Sequence, residues 1–365
     1  MSPISLIERV HGCLLGVAIG DALGMPWETM TREEINEATE RKGVLRFHDA
    51  VQQRLRDTKD FRAGDTTDDW QLTKVVARSL IRQGHYDVID CAQEHVKELH
   101  HSTFGWGKST TKGIQNVSNF LYHIPKPGER YFASQSFATP KGCGNGVAMK
   151  ISPLALFYGI RAASRGEQGN DVFSFYSDVM SLGSLTHGDR RTSFAAFAFG
   201  RTLIALLTRN LPLCDVALES HLNELLSGML LCEIILQTRG WEHCYDAHEP
   251  DPFYARLHKL CSEECLNPAR AASILSTATG TGCFALESVP FALGTFLRHP
   301  HDFEAGVLEA VNAGGDTDTN ASMVGALIGA NVGVHNIPDS WHYFRKAYEE
   351  AETLAVQLFH TATKT

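Results

Sequence analysis

Apolar residues recur at steps of three and four along most of this chain. From Leu6 through Val10, Leu14 and Val17 the spacing is helical, and Ser5 with Glu8 three residues later forms a capping box at the start. Gly12, Gly16, Gly20 and Gly24 recur every fourth residue on one face of the same helix. Each glycine costs a helix about 1 kcal/mol relative to alanine, so the stripe predicts a second backbone lying close against it. Further helical patterns cover about 69–83, 86–100, 109–122, 171–183, 191–209, 218–237, 269–277, 284–298, 303–312, 319–330 and 340–360. No stretch keeps a convincing period of two. The expectation is an all-α domain of ten or more helices, with a Pro/Gly-rich loop near 124–146 and a polar, His-rich connection near 239–254. No repeat or low-complexity linker divides it, so residues 1–365 are taken as one domain.

Composition adds exclusions. The chain is 43% apolar and 21% charged, which is globular, and its net charge of −9 with scattered Lys and Arg lacks the basic stripe of a nucleic-acid footprint or a polybasic membrane contact. Nine cysteines at irregular spacings, with no C-x-x-C pair, are expected to be free thiols in a reducing compartment. The start of the sequence carries no basic region with a cleavage site, and no run reaches 18 apolar residues. A cytoplasmic protein is therefore expected.

Two acidic turns break the apolar pattern. "AVNAGGDTDTNASMVGALIGAN", residues 310–331, sets Asp316, Asp318 and Asn320 in the alternation of an EF-hand, but Ala321 and Leu327 stand where that loop needs Gly and a bidentate Glu. "RAGDTTDDWQLTKVVARSL", residues 62–80, places Thr67, Asp68 and Asp69 just before a helix of good periodicity. Helix capping accounts for either turn alone. As a pair they supply four carboxylates plus the hydroxyls of Thr67 and Thr319, more than capping uses. If the two turns meet, repulsion and desolvation call for cations. An all-oxygen set suits Mg²⁺ or Mn²⁺ rather than zinc or copper. A D-D-x-x-D prenyl-diphosphate motif fails at Leu72, and the dipeptides His48-Asp49 and His301-Asp302 fall in loop-like stretches rather than in a phosphohydrolase pattern. No P-loop or post-strand G-x-G-x-x-G is present.

The ordered blocks "GCLLGVAIGDALGMPWE", "TTDDWQLT", "FGWGKSTTKG", "GCGNGVAMKISPLAL", "LTHGD", "GTGCFALESVPFALGTFL" and "AVNAGGDTDTNASMVGALIGA" resemble the motifs of the ADP-ribosylglycohydrolase family, from about residue 9 to 335. The resemblance implies an all-α, compact multi-helix orthogonal bundle around a binuclear Mg²⁺ or Mn²⁺ site that releases ADP-ribose from a modified acceptor. It implies Thr67, Asp68, Asp69, Asp316, Asp318 and Thr319 as metal ligands, and Glu28 as a mobile carboxylate beside them. Asp68 or Asp316 would act as general base toward the attacking water. Gly142, Cys143, Gly144, Asn145 and Gly146 would receive phosphates and ribose, with His187 nearby and Gly105 and Gly107 along one wall. Asp21 is expected to fix the glycine turn rather than touch substrate.

Trp70 stands where many members carry Thr. Gly142 and Cys143 stand where the serine-directed branch carries Ser and Tyr, so an ADP-ribosylarginine protein is the expected substrate and ADP-ribose the product. ADP-ribosylserine, poly(ADP-ribose) or a small ADP-ribosylated molecule remain alternatives. So do a non-catalytic binding role and an immunity role against an ADP-ribosyltransferase toxin. The segment 210–268 fits the family poorly and is marked as a candidate insertion.

Overall fold

The computed structural model describes residues 4–49, 61–122, 142–165, 172–208, 263–342 and 345–364, with isolated helical positions between 223 and 260. Its first helix, α1 (Leu6–Gly24), starts on the expected capping box: Ser5 N–H donates to Glu8 Oε2 at 2.6 Å, and Glu8 N–H donates back to Ser5 Oγ. Beyond Val10 every residue of α1 is buried, so the helix forms the middle of the molecule rather than a surface.

The helices that follow are α2 (Arg32–Ala38), α3 (Asp68–Gln83), α4 (Val88–His101), α5 (Lys108–Leu121), α6 (Ser152–Arg165), α7 (Val172–Ser184) and α8 (Arg190–Thr208). After them come α9 (Ala272–Thr279), α10 (Ala285–Arg298), α11 (Phe303–Asn312), α12 (Thr317–Val332) and α13 (Arg345–Lys364). The described residues form no strand, only two isolated antiparallel bridges, Thr31 with Gly314 and Gly144 with Phe284.

The glycine stripe explains the centre. The Cβ-less faces of Gly12, Gly16, Gly20 and Gly24 lie against the backbone at Gly329, Gly325, Ala321 and Asp318, stepping in opposite directions along α1 and α12. Any side chain there would collide with main chain rather than with a flexible group. The two helices are thus antiparallel and nearly in backbone contact, which brings the C-terminal end of α1 to the N-terminal end of α12. That register sets Asp21 and the following 3₁₀ turn, Met25–Trp27, beside the second acidic turn. Helices α10 and α11 pack on α12, α13 packs on α1, α3 and α6, and an aromatic group of Phe175, Tyr176, Phe194 and Phe197 fills the space between α7 and α8.

Two helices run where the periodicity predicts none. α6 begins at Ser152-Pro153, which reads as a loop, but a proline in the first turn costs no hydrogen bond there. From Pro153 to Ile160 its apolar residues run without a break, so no polar step marks a helical spacing there. α2 buries only Ile35 and has too little apolar signal, although Thr31 and Glu34 form a second capping box. Most of the expected helix at 218–237, of which Asn223, Glu224, Ser227 and Gly228 are described as helical, most of the loop at 124–146, the connection at 239–254 and most of the candidate insertion at 210–268 lie outside the described residues. Among the described residues no helix is long and apolar enough to cross a membrane.

Candidate metal centre

The start of α3 is capped from another helix. The carboxylate of Asp21 on α1 accepts from Thr67 N–H at 2.9 Å, from Thr67 Oγ1 at 2.6 Å and from Trp70 N–H at 3.0 Å. Asp21 therefore satisfies two of the orphan donors of this terminus, and it fixes the T-D-D turn rather than the glycine turn expected of it. The side chain of Thr67 makes no cap. Asp68 and Asp69, both buried, are thus not needed as caps. Trp70, fully buried, donates through Nε1 to Glu350 at 3.0 Å and ties the turn to α13.

The second turn is built on two glycines with left-handed backbones, Gly314 at φ +77° and Gly315 at φ +85°. They let the chain run against the Met30–Thr31 segment: Thr29 N–H donates to Gly315 O, and Gly315 N–H to Met30 O, each at 2.8 Å. Asp316 N–H is taken by Thr281 O at 2.9 Å, and Thr317 Oγ1 donates to Gly24 O at 2.7 Å. Asn145 donates through Nδ2 to Asp316 Oδ2 at 2.8 Å and to Ser288 Oγ at 3.0 Å, and Ser288 passes its own hydrogen to Asn320 Oδ1. One carboxylate oxygen of Asp316 is thereby fixed by the glycine-rich loop.

Carboxylates from both turns gather in two groups. Ligand-type oxygens of Asp21, Asp69 and Asp318 lie within 4.8 Å of one another, and so do those of Glu28, Asp316 and Asp318. Asp318 belongs to both. Asp68 belongs to neither, and one of its oxygens faces Gly105, whose φ of +83° and missing side chain make room for it. Thr319 Oγ1 donates to Asp69 Oδ2 at 3.3 Å.

Burial is the largest cause of the electrostatics here. It drives Asp68, Asp69 and Asp318 well above the ordinary carboxylate range, and neighbouring negative charges push further in the same direction. Asp21 rises to about 6 for the first reason, partly offset by its hydrogen bonds, and Glu28 to about 7 by burial and by the charges of Asp316 and Asp21. Such a cluster either holds protons or holds cations. Asp69 Oδ1 is buried and accepts no hydrogen bond among the described residues, which leaves a lone pair that a cation would use. The donor set is all oxygen, as hard divalent ions require.

The remaining candidates lie around this centre. Gly144 and Gly146 back onto His187, whose Nδ1 is 2.8 Å from Thr186 Oγ1. The bridge from Gly144 to Phe284 holds this loop to the start of α10, with Asn145 N–H on Cys283 O and Ala285 N–H on Cys143 O. Burial pushes the Cys143 thiol up to about 11, so it stays protonated at neutral pH. Gly142 contributes its carbonyl to Thr192 at 3.4 Å. Gly107 precedes α5 with open space beside it, so no close approach explains its glycine. Of the residues that form the site, Ser288 carried no signal in the sequence, and Asp21 and Asn320 were noticed for other reasons than the roles found here, the clamp of the T-D-D turn and the end of the relay behind Asn145. An unpaired Asp inside an apolar helix is the feature that points to Asp21.

The chain matches the family described as ADP-ribosylglycohydrolase over residues 2–365. Among curated proteins it is 26% identical to the ADP-ribosylhydrolase ARH3 of Mus musculus, over 96% of this chain and 91% of that protein. It is 25% identical to the ADP-ribosyl-dinitrogen reductase glycohydrolase of Rhodospirillum rubrum, over 93% of this chain and 91% of that one. A solved structure described as an ADP-ribosylglycohydrolase-related protein complex superposes with a TM-score of 0.67 at 24% identity, covering 98% of this chain and 99% of its own.

Proposed function

The chain belongs to the ADP-ribosylglycohydrolase family, whose members hydrolyse ADP-ribose linkages, and from that premise we propose that it removes ADP-ribose from arginine side chains of proteins. The observation that carries the reading is the convergence of Asp21, Glu28, Asp69, Asp316 and Asp318 from elements far apart in the sequence into two ligand-distance groups. Two Mg²⁺ or Mn²⁺ ions suit that set and, when bound, would orient ribose hydroxyls and lower the pKa of the attacking water.

The chain's own residues do the rest. Asp68, Asp69, Asp316 and Asp318, with the hydroxyls of Thr67 and Thr319, supply ligands, while Asp21 keeps the T-D-D turn in register. Asp68 or Asp316 takes the proton from water as general base. Glu28, held near neutrality by its surroundings, is poised to exchange a proton at the mouth of the site. The Gly142–Gly146 loop offers backbone N–H groups to the phosphates, Asn145 and His187 lie along the ribose side, and Gly105 and Gly107 form the opposite wall.

Arginine is favoured over serine by charge. Two divalent ions bring four positive charges against six carboxylates, counting Asp68 with the two groups, so even with Glu28 protonated the site retains a negative surplus that attracts a cationic guanidinium. That leaving group also needs little protonation. The name of the Rhodospirillum rubrum relative fits an ADP-ribosylated protein as substrate.

The direct test supplies the purified chain, with Mg²⁺ or Mn²⁺, with proteins ADP-ribosylated separately on arginine and on serine. Release of ADP-ribose from the arginine conjugate alone, abolished by Asp316→Asn with helix content intact, supports the proposal. Release from the serine conjugate alone replaces the acceptor, and full activity of the variant removes the assignment of Asp316.

A further inference from the structure

Lys150 closes the 3₁₀ turn Ala148–Lys150, directly after the Gly142–Gly146 loop, and it is completely buried. A buried ammonium is costly unless it donates hydrogen bonds or meets opposite charge. Its Nζ lies 3.4 Å from Thr186 Oγ1, while the Cys91 thiol and the Asp68 carboxylate act on it through space. Burial pulls its pKa down only to about 8, so it stays cationic at neutral pH. Thr186 is likewise fully buried, and its Oγ1 lies 2.8 Å from His187 Nδ1.

The donor inventory sets the direction of this chain of contacts. An ammonium has only donors, so Thr186 Oγ1 accepts from Lys150. The hydroxyl has a single hydrogen to place, and the structure offers it His187 Nδ1. If Nδ1 accepts, the neutral ring carries its hydrogen on Nε2. Burial, reinforced by the charge of Lys150, keeps that ring neutral. Nε2 faces the glycine loop: a Cβ would stand 3.4 Å from it at Gly144 and 3.2 Å at Gly146, so the missing side chains leave room at that nitrogen. The oxygen has a second lone pair that could take an Nδ1–H, but the ammonium donating to it polarises the hydroxyl and favours its giving the hydrogen to Nδ1; without that donor neither tautomer would be preferred.

We propose that Lys150 is a positioning residue that, through Thr186, holds His187 as its Nε2–H tautomer and so presents a hydrogen-bond donor to a ligand oxygen seated on the Gly142–Gly146 loop. Only the identity of the ligand rests on the proposed ADP-ribose reading. The tautomer is a property of the ligand-free chain.

The experiment has two arms. Side-chain ¹⁵N spectra of the full chain with labelled histidine, with His187 assigned by its loss in His187→Ala, read the tautomer directly. The Nε2–H form is expected in the native protein and in Lys150→Arg, and a mixture in Lys150→Met. An Nδ1–H ring in the native protein, or a pure Nε2–H ring in Lys150→Met, overturns the proposal. Titration with ADP-ribose then reads the consequence: Lys150→Met weakens binding about 2- to 10-fold, the worth of one hydrogen bond, and adds nothing in the His187→Ala background. Additive losses overturn the link. If the native protein does not bind ADP-ribose, the functional reading fails while the spectra still decide the tautomer. Should Lys150→Met not fold by circular dichroism, Lys150→Leu, which also removes the donor to Thr186, gives the same comparison.

Discussion

Thr319 donates its hydroxyl to Asp69 over 3.3 Å, joining positions that are 250 residues apart in the chain. The bond ties the first turn of α12 to the first turn of α3, so each acidic turn is held partly by the other. Disturbing either is expected to disturb both.

Divalent ions and protons should compete for the centre. Asp21 and Glu28 have folded pKa values of about 6 and about 7, raised from 3.8 and 4.5. Groups that bind protons more tightly when folded make the metal-free protein lose stability as pH rises from the unfolded values through the folded ones. In chelator, the thermal midpoint should therefore fall between pH 4 and pH 7 from these groups, and the raised Asp68, Asp69 and Asp318 act in the same direction. Mg²⁺ or Mn²⁺ should raise it most at the alkaline end, through a stabilisation of about 2.7 kcal/mol per site at a hundredfold excess over Kd. Melting curves with and without chelator check this, and a midpoint indifferent to divalent ions across that range contradicts a metal centre.

Asp21→Asn should loosen the T-D-D turn without unfolding the protein. The amide keeps one acceptor where the carboxylate serves Thr67 N–H, Thr67 Oγ1 and Trp70 N–H together. Losing charged acceptors of this kind costs about 1.5 to 3 kcal/mol each at most. Calorimetric Mn²⁺ titration should show affinity reduced at least tenfold beside a near-native helix signal. Unchanged affinity would mean that the clamp does not set ligand geometry.

Gly105→Ala should damage the centre from the side. The residue has φ +83°, and an added Cβ would press on the Asp68 carboxylate and on Thr67 Cβ. The backbone strain alone is about 1 to 3 kcal/mol. Hydrolysis should fall by orders of magnitude while Gly107→Ala, with open space around it, stays close to native. Equal effects of the two substitutions would remove the contact as the cause.

Gly20→Ala tests the central pair of helices. Its new methyl would meet the Ala321 backbone, which has no flexible end to move aside. Overpacking of this kind costs about 1 to 3 kcal/mol and shifts α1 along or away from α12. The thermal midpoint should drop, and metal affinity should drop with it because Asp21 and Asp318 sit on the two displaced helices. A loss of stability with metal affinity intact would show that the spine and the centre are independent.

Much of the fold was legible because helices are local. The capping box at Ser5, the apolar spacing of α3, α4, α5 and α8, and the glycine stripe of α1 each depend on residues within a few positions of one another. Legibility failed where an unbroken apolar run hid the spacing, as in α6, and where a helix had little core to face, as in α2. For the centre, the two acidic turns were visible as excess charge beside apolar helices. Asp21 was visible only as an odd residue, because what it holds lies 46 to 49 positions away.

The sequence by itself determined that this chain is helical, that α1 needs a close neighbour, and that two turns carry more carboxylate than capping uses. Tertiary structure decided which neighbour fills the stripe, which acids come within ligand distance, and that Asp21 rather than Thr67 caps α3. The physical reason is range. Helix spacing and capping are set by hydrogen bonds a few residues long, whereas repulsion among buried carboxylates depends on distances through space that only the antiparallel packing of α1 and α12 creates.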